Sequence, residues 1–186
     1  MEKLSAIFFK DVEKTHFYST LKTLIVISFL SSFLGLIDGG GPYFIPLVIG
    51  SFIVYQFYEE KQRIPFVVYF LPFIFFAIFF SSGGGLFILN AINADLIHHE
   101  SEIGWMIAGV WSSYVIVLTI WLLFKVQIKV IHFVLLTLLI PIPYLLNLSA
   151  TKETFGIFFF YFLWNSALSA VLSLLFSQQN LSKQNL

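Results

Sequence analysis

Six runs of apolar residues constrain this chain more than any other feature of it. They cover residues 21–37, 44–58, 66–82, 104–124, 128–148 and 155–177, and four of them hold no Asp, Glu, Lys or Arg at all. A helix rises about 1.5 Å per residue, so about 20 apolar residues cross the roughly 30 Å of bilayer hydrocarbon. The second and third runs are short for that span, and the third could run on through Gly83-Gly84-Gly85 as far as Asn90. Within hydrocarbon the backbone has to satisfy its own hydrogen bonds, so such segments are helices. The expected fold is therefore all-α: a polytopic integral membrane bundle of about six transmembrane helices. Charged residues make up only 11% of the chain, too few to coat a soluble domain of 186 residues.

The breaks between runs are short and either charged or turn-forming. They read DGGGP at 38–42, EEKQRIP at 59–65, KVQIK at 125–129 and SATKET at 149–154. With the N-terminus inside, Lys3, Lys10, Lys14, Lys22, Lys61, Arg63, Lys125, Lys129 and Lys183 all fall on the inner side. Only Lys152 falls outside. That asymmetry orients the bundle N-in/C-in and requires an even number of spans. The organisation expected is an inner-surface amphipathic segment at 1–20, one transmembrane bundle at 21–177 and a polar cytoplasmic tail at 178–186. Asp11 and Glu13 interrupt the stretch before the first run, so a cleaved signal is not expected. The location expected is the cytoplasmic membrane of a prokaryote.

Small residues recur at helical spacing within three runs. They are Ser28, Ser31, Ser32 and Gly35; Gly104, Ala108, Ser112 and Thr119; and Ser166, Ser169, Ala170, Ser173 and Ser177. Small faces let helix backbones approach closely. Such stripes serve either packing within the bundle or docking of a membrane partner or second copy, and the pattern alone does not separate the two. Pro72 in the third run and Pro141 with Pro143 in the fifth remove backbone donors and favour kinks.

No ionisable residue occupies the middle of any run, which argues against a proton relay or a charged active site at mid-bilayer. The deepest polar feature is Trp164-Asn165. It either ties neighbouring helices or contacts a ligand by stacking and hydrogen bonding. Trp111 is a further deep aromatic. The polar stretch 83–103 collects Asp95, His98, His99 and Glu102. It reads as a solvated loop, as a lid hinged on Gly83–Gly85 or, if helical, as a face offering imidazole and carboxylate ligands to a divalent cation. Adjacent histidines do not readily hold one ion together, and no HExxH spacing is present.

Several function classes are excluded or left open. There is no GxSxG, SxxK, P-loop or dinucleotide fingerprint. Cysteine is absent, which removes thiolate chemistry and Cys-held metals. A net charge of zero gives no basis for nucleic-acid binding. No catalytic residue and no cofactor is assigned; membrane lipids are the expected surroundings. The six-span, N-in/C-in layout is similar to that of the substrate-binding membrane subunits of vitamin-uptake transporters, a likeness of topology without a shared motif. The reading that follows is a binding or transport subunit with an outward-facing site at Trp111, Trp164, Asn165 and Asp95. The alternatives are a non-enzymatic assembly or regulatory subunit, and a metal-dependent enzyme on lipid-borne substrates using His98, His99 and Glu102.

Overall fold

The computed structural model describes residues 12–37, 44–61, 65–95, 102–146 and 154–184. Among these the chain is helical, with no strand. In order the helices are α1 (Lys14–Gly35), α2 (Phe44–Lys61), α3 (Phe66–Phe75), a π-helical segment (Phe76–Gly83), α4 (Gly84–Asp95), α5 (Glu102–Phe124), α6 (Val130–Leu139), α7 (Ile142–Leu145) and α8 (Thr154–Gln184). Three stretches are long and apolar enough to cross a membrane: Lys14–Leu34, Met106–Phe124 and Phe155–Gln178. Shorter apolar helices cover Leu47–Gln56, Phe66–Ser81 and Val130–Leu145.

Helices pack mainly on their neighbours in sequence, α1 on α2, α2 on α3, the π segment and α4 on α5, and α6 and α7 on α8. The most extensive pairing, α1 along α8, closes this series into a ring. Leu24, Ile53, Phe73, Val117, Ile120, Leu136 and Leu172 fill its centre, so nearly every helix contributes to one core. The outward surface is equally apolar: Phe29, Leu30, Phe75, Phe79, Leu118, Trp121, Leu122, Leu138 and Leu145 are all exposed. Apolar surface this continuous marks a membrane-embedded protein rather than a water-facing one.

Local chemistry accounts for the helix boundaries. Lys125 takes a left-handed backbone, φ 57°, and its N–H donates to the Trp121 carbonyl at 2.9 Å, a left-handed cap ending α5. The extended linker that follows buries Val126 in the core and leaves Lys125, Gln127 and Lys129 exposed. The His132 N–H donates to the Lys129 carbonyl at 3.0 Å, while the Lys129 N–H donates to His132 Nδ1, also at 3.0 Å. That reciprocal pair opens α6 in the manner of a capping box. Pro141 and Pro143 then separate α6 from α7, as the sequence leads one to expect. Tyr114 in α5 reaches across to α6, where its hydroxyl bonds Thr137 Oγ1 and donates to the Phe133 carbonyl at 3.2 Å.

The third run departs furthest from its expected form. Residues 83–95 are neither loop nor hinged lid: the helix begun at Phe66 passes through the π segment and all three glycines to Asp95. The physical reason lies in α5. A Cβ on Gly84 would sit 2.7 Å from Trp111 Nε1, and one on Gly85 would sit 2.8 Å from Ser112 Oγ and 3.3 Å from the Ala108 carbonyl. The glycines admit a neighbouring helix. Ser81 and Ser112 complete the seam, each hydroxyl donating to the other's backbone carbonyl at 3.1 and 2.9 Å.

Candidate functional site

In an apolar helix a serine or threonine hydroxyl can turn back onto its own helix and donate to a carbonyl one turn earlier. Ser31, Ser32, Ser113, Thr119, Ser173 and Ser177 all do so. An indole or a carboxamide reaches further and needs a partner elsewhere. The side chains of interest are therefore the few large polar ones in the interior.

Three of these lie together on α8. At 3.6 residues per turn Tyr161, Trp164, Asn165 and Leu168 fall within about 100° of one another, on a face that borders the serine stripe at Asn165, about 40° from Ser169. Opposite them, α7 presents Tyr144, which is 4% exposed. Its ring meets Phe160 edge-on, centroids 4.7 Å apart at 85°, and Phe160 meets Tyr161 likewise at 5.3 Å. From α5, Gly109 completes the approach: a Cβ there would lie 2.7 Å from the Tyr144 hydroxyl oxygen and 3.3 Å from Ile140 Cγ2. Thus α5, α7 and α8 converge around a phenol beside the Pro141–Pro143 break.

One turn deeper along the same face, hydrogen bonding is incomplete. Asn165 is 1% exposed, and among the described residues its amide Nδ2 has no partner; nor has the buried indole Nε1 of Trp164. A buried donor left unsatisfied costs about 1–3 kcal/mol, so each calls for an acceptor from outside the chain. Between Thr154 and Gln178, α8 carries no Asp, Glu, Lys, Arg or His. The layer offers aromatic walls, two tyrosine hydroxyls and two uncommitted N–H groups. Ser166 Oγ is also buried without a partner, but it lies about 150° round the helix from this face.

A second polar spot sits towards the far end of α8. His132, wholly buried, faces the Gln178 side chain, and neither His132 Nε2 nor Gln178 Oε1 has a bonded partner. Because Nδ1 accepts from the Lys129 N–H, the neutral ring carries its proton on Nε2. That nitrogen is a donor pointed towards an acceptor, not a lone pair available to a metal.

The residues singled out by sequence separate into groups. Trp164 and Asn165 belong to the interior layer. Trp111 stands two residues from Gly109, hence about 200° round α5, and its indole N–H donates to the Phe80 carbonyl at 3.0 Å. It braces α5 against the π segment. Asp95 and Glu102 are the terminal residues of α4 and α5, and their side chains lie outside the described residues, as do His98 and His99 entirely. Among the described residues no cluster of three metal-binding side chains occurs. Sequence reasoning passed over Tyr144, Tyr161 and Gly109. The available signal was Tyr161 at three and four residues before Trp164 and Asn165, together with a tyrosine next to Pro143.

Fold and site together define an all-helical, membrane-embedded bundle with a polar aromatic layer in its interior. The chain matches no protein-family model, no curated protein and no solved structure.

Proposed function

We propose that this chain is a six-span protein of a prokaryotic cytoplasmic membrane, N-in/C-in, that binds a small molecule in the layer formed by Tyr144, Tyr161, Trp164 and Asn165. It acts as a substrate-binding or transport subunit whose site opens towards the outer side through the Pro141–Pro143 break. Broken helices line substrate cavities in transporters, and this break abuts the layer. The observation that carries the reading is the pair of buried donors, Trp164 Nε1 and Asn165 Nδ2, with no acceptor among the described residues. Binding is favoured over an assembly role because the serine and glycine stripes already pack against one another within the chain. With no nucleotide-binding motif, energy for uptake comes from a partner, or movement is passive.

Native mass spectrometry of protein extracted in mild detergent from its own host tests the reading. A stoichiometric small-molecule adduct, lost in Trp164→Ala, is the expected result. A partner polypeptide with no adduct in any preparation would overturn it in favour of assembly. Topology is tested separately with single cysteines, which the cysteine-free chain permits without background. A cysteine at Gln127 should react with an impermeant maleimide only from the inner side.

A further inference from the structure

Building on the binding reading above, we propose that the ligand of the α5–α7–α8 layer is an uncharged molecule that presents hydrogen-bond acceptors, carbonyl oxygens above all, on a flat apolar body. The unmet groups are both donors: an indole N–H and a carboxamide N–H, buried on one helix face. A cation would bring further donors to them and leave them unmet. A carboxylate would accept from both, but it would enter an apolar layer with no cationic side chain between Thr154 and Gln178 of α8 to neutralise it, and an unpaired buried charge is the costlier outcome. A neutral carbonyl satisfies the donors without that penalty. The rings of Tyr144, Phe160 and Tyr161, set edge to face, suit a planar body by offset stacking or edge contact. A molecule of this kind also partitions into hydrocarbon, so it can reach the layer from the bilayer as well as from water.

Three probes on one carbon skeleton separate these chemistries. Naphthalene has no acceptors, 1,4-naphthoquinone has two neutral ones, and 2-naphthoate carries a charge. The chain holds no cysteine for the quinone to alkylate. Binding is read as saturable, concentration-dependent stabilisation of the purified protein in detergent. The quinone should bind roughly tenfold tighter than naphthalene for each bond formed, about a hundredfold for two. In Trp164→Phe and Asn165→Leu that advantage should shrink to about tenfold each.

Those variants also distinguish a ligand donor from a structural one. Removing an unmet indole N–H should leave the unliganded protein as stable as before, whereas loss of a structural bond would lower its melting temperature. Repeating the titration with diacyl and with ether-linked phosphatidylcholine identifies the natural source. Competition by the diacyl lipid alone assigns the carbonyls to lipid esters and overturns the flat, uncharged class; no competition by either lipid, with the quinone bound, assigns them to a free solute and keeps it. Equal binding of quinone and naphthalene, or absence of quinone binding, overturns the proposal. If naphthoate binds most tightly, the site stands but the class is wrong; if no probe binds and no native adduct is found, both readings fall together.

Discussion

Along one side of α8 serines meet serines. Ser169 and Ser28 share a hydrogen bond at 2.9 Å, and Ser31, Ser32, Ser173 and Ser177 each donate back to their own helix. Round the same helix, bordering that stripe, Asn165 is buried and Trp164 half-buried, each with an N–H that meets no acceptor among the described residues. Both faces are polar and both are interior, and on the serine face Ser166 Oγ alone of the stripe's hydroxyls meets no partner among the described residues. A short hydroxyl is nearly cost-free in an apolar helix because the backbone one turn back supplies its acceptor. A carboxamide or indole has no such recourse. In a bundle of this kind, polarity alone does not mark a binding site; the state of its hydrogen bonding does.

The comparison can be broken at the serine seam first. Ser169→Leu would drive a branched side chain into α1 where a hydroxyl now fits, and overpacking of this kind costs up to about 3 kcal/mol. Thermal unfolding in detergent should show the largest loss of the set, while Ser169→Ala should cost well under half as much. Next comes the glycine that bounds the other face. Gly109→Ala places a methyl 2.7 Å from the Tyr144 hydroxyl and should cost about 1–3 kcal/mol. Tyr144→Phe in the same chain removes that oxygen and should restore much of the loss, a coupling that a double-mutant cycle measures directly. A strictly additive cycle would show that the phenol is not seated against Gly109.

Smaller effects sharpen the contrast. Ser81→Ala and Ser112→Ala each remove one bond of the reciprocal pair between the π segment and α5, where inter-helical hydrogen bonds in membranes average about 0.6 kcal/mol. Trp111→Phe, which strips the donor from the Phe80 carbonyl, should cost about 1 kcal/mol. Trp164→Phe lies at the end of the series, with no loss of unliganded stability. If Trp111→Phe and Trp164→Phe lower the melting temperature equally, the distinction between a bracing tryptophan and a ligand-facing one fails.

Much of this architecture was legible in the sequence because hydropathy and proline act locally. The apolar runs, the break at Pro141 and Pro143, and the turn through residues 125–129 follow from side-chain chemistry alone. Residues 83–95 are legible only in part, as a third run that could continue through the glycines as far as Asn90. Three consecutive glycines followed by Asn90 and Asn93 ordinarily signal a turn, and only the approach of Trp111 and Ser112 explains why those glycines stay helical. The site divides in the same way. Trp164 and Asn165 stand out as the deepest polar pair in an apolar run. Tyr144 and Tyr161 do not, since tyrosine near a helix end usually reads as an interfacial anchor. Their pairing depends on how far α7 turns after the prolines, a property of the folded bundle rather than of any one segment.

The π segment has a consequence for the long rod in which it lies. Its bonds reach five residues back, as from the Gly84 N–H to the Phe79 carbonyl, instead of four. This adjusts the phase between α3, which packs on α2, and α4, which packs on α5. Each residue of an α-helix advances the azimuth by about 100°. Deleting a single residue from the regular α-helix of Phe66–Phe75 would shorten the rod by a trivial amount, yet turn the helix before the deletion by about 100° relative to Gly84 and Gly85. The bundle tolerates error in the length of this rod far better than error in its rotation, as a key does whose teeth are cut to the wrong side.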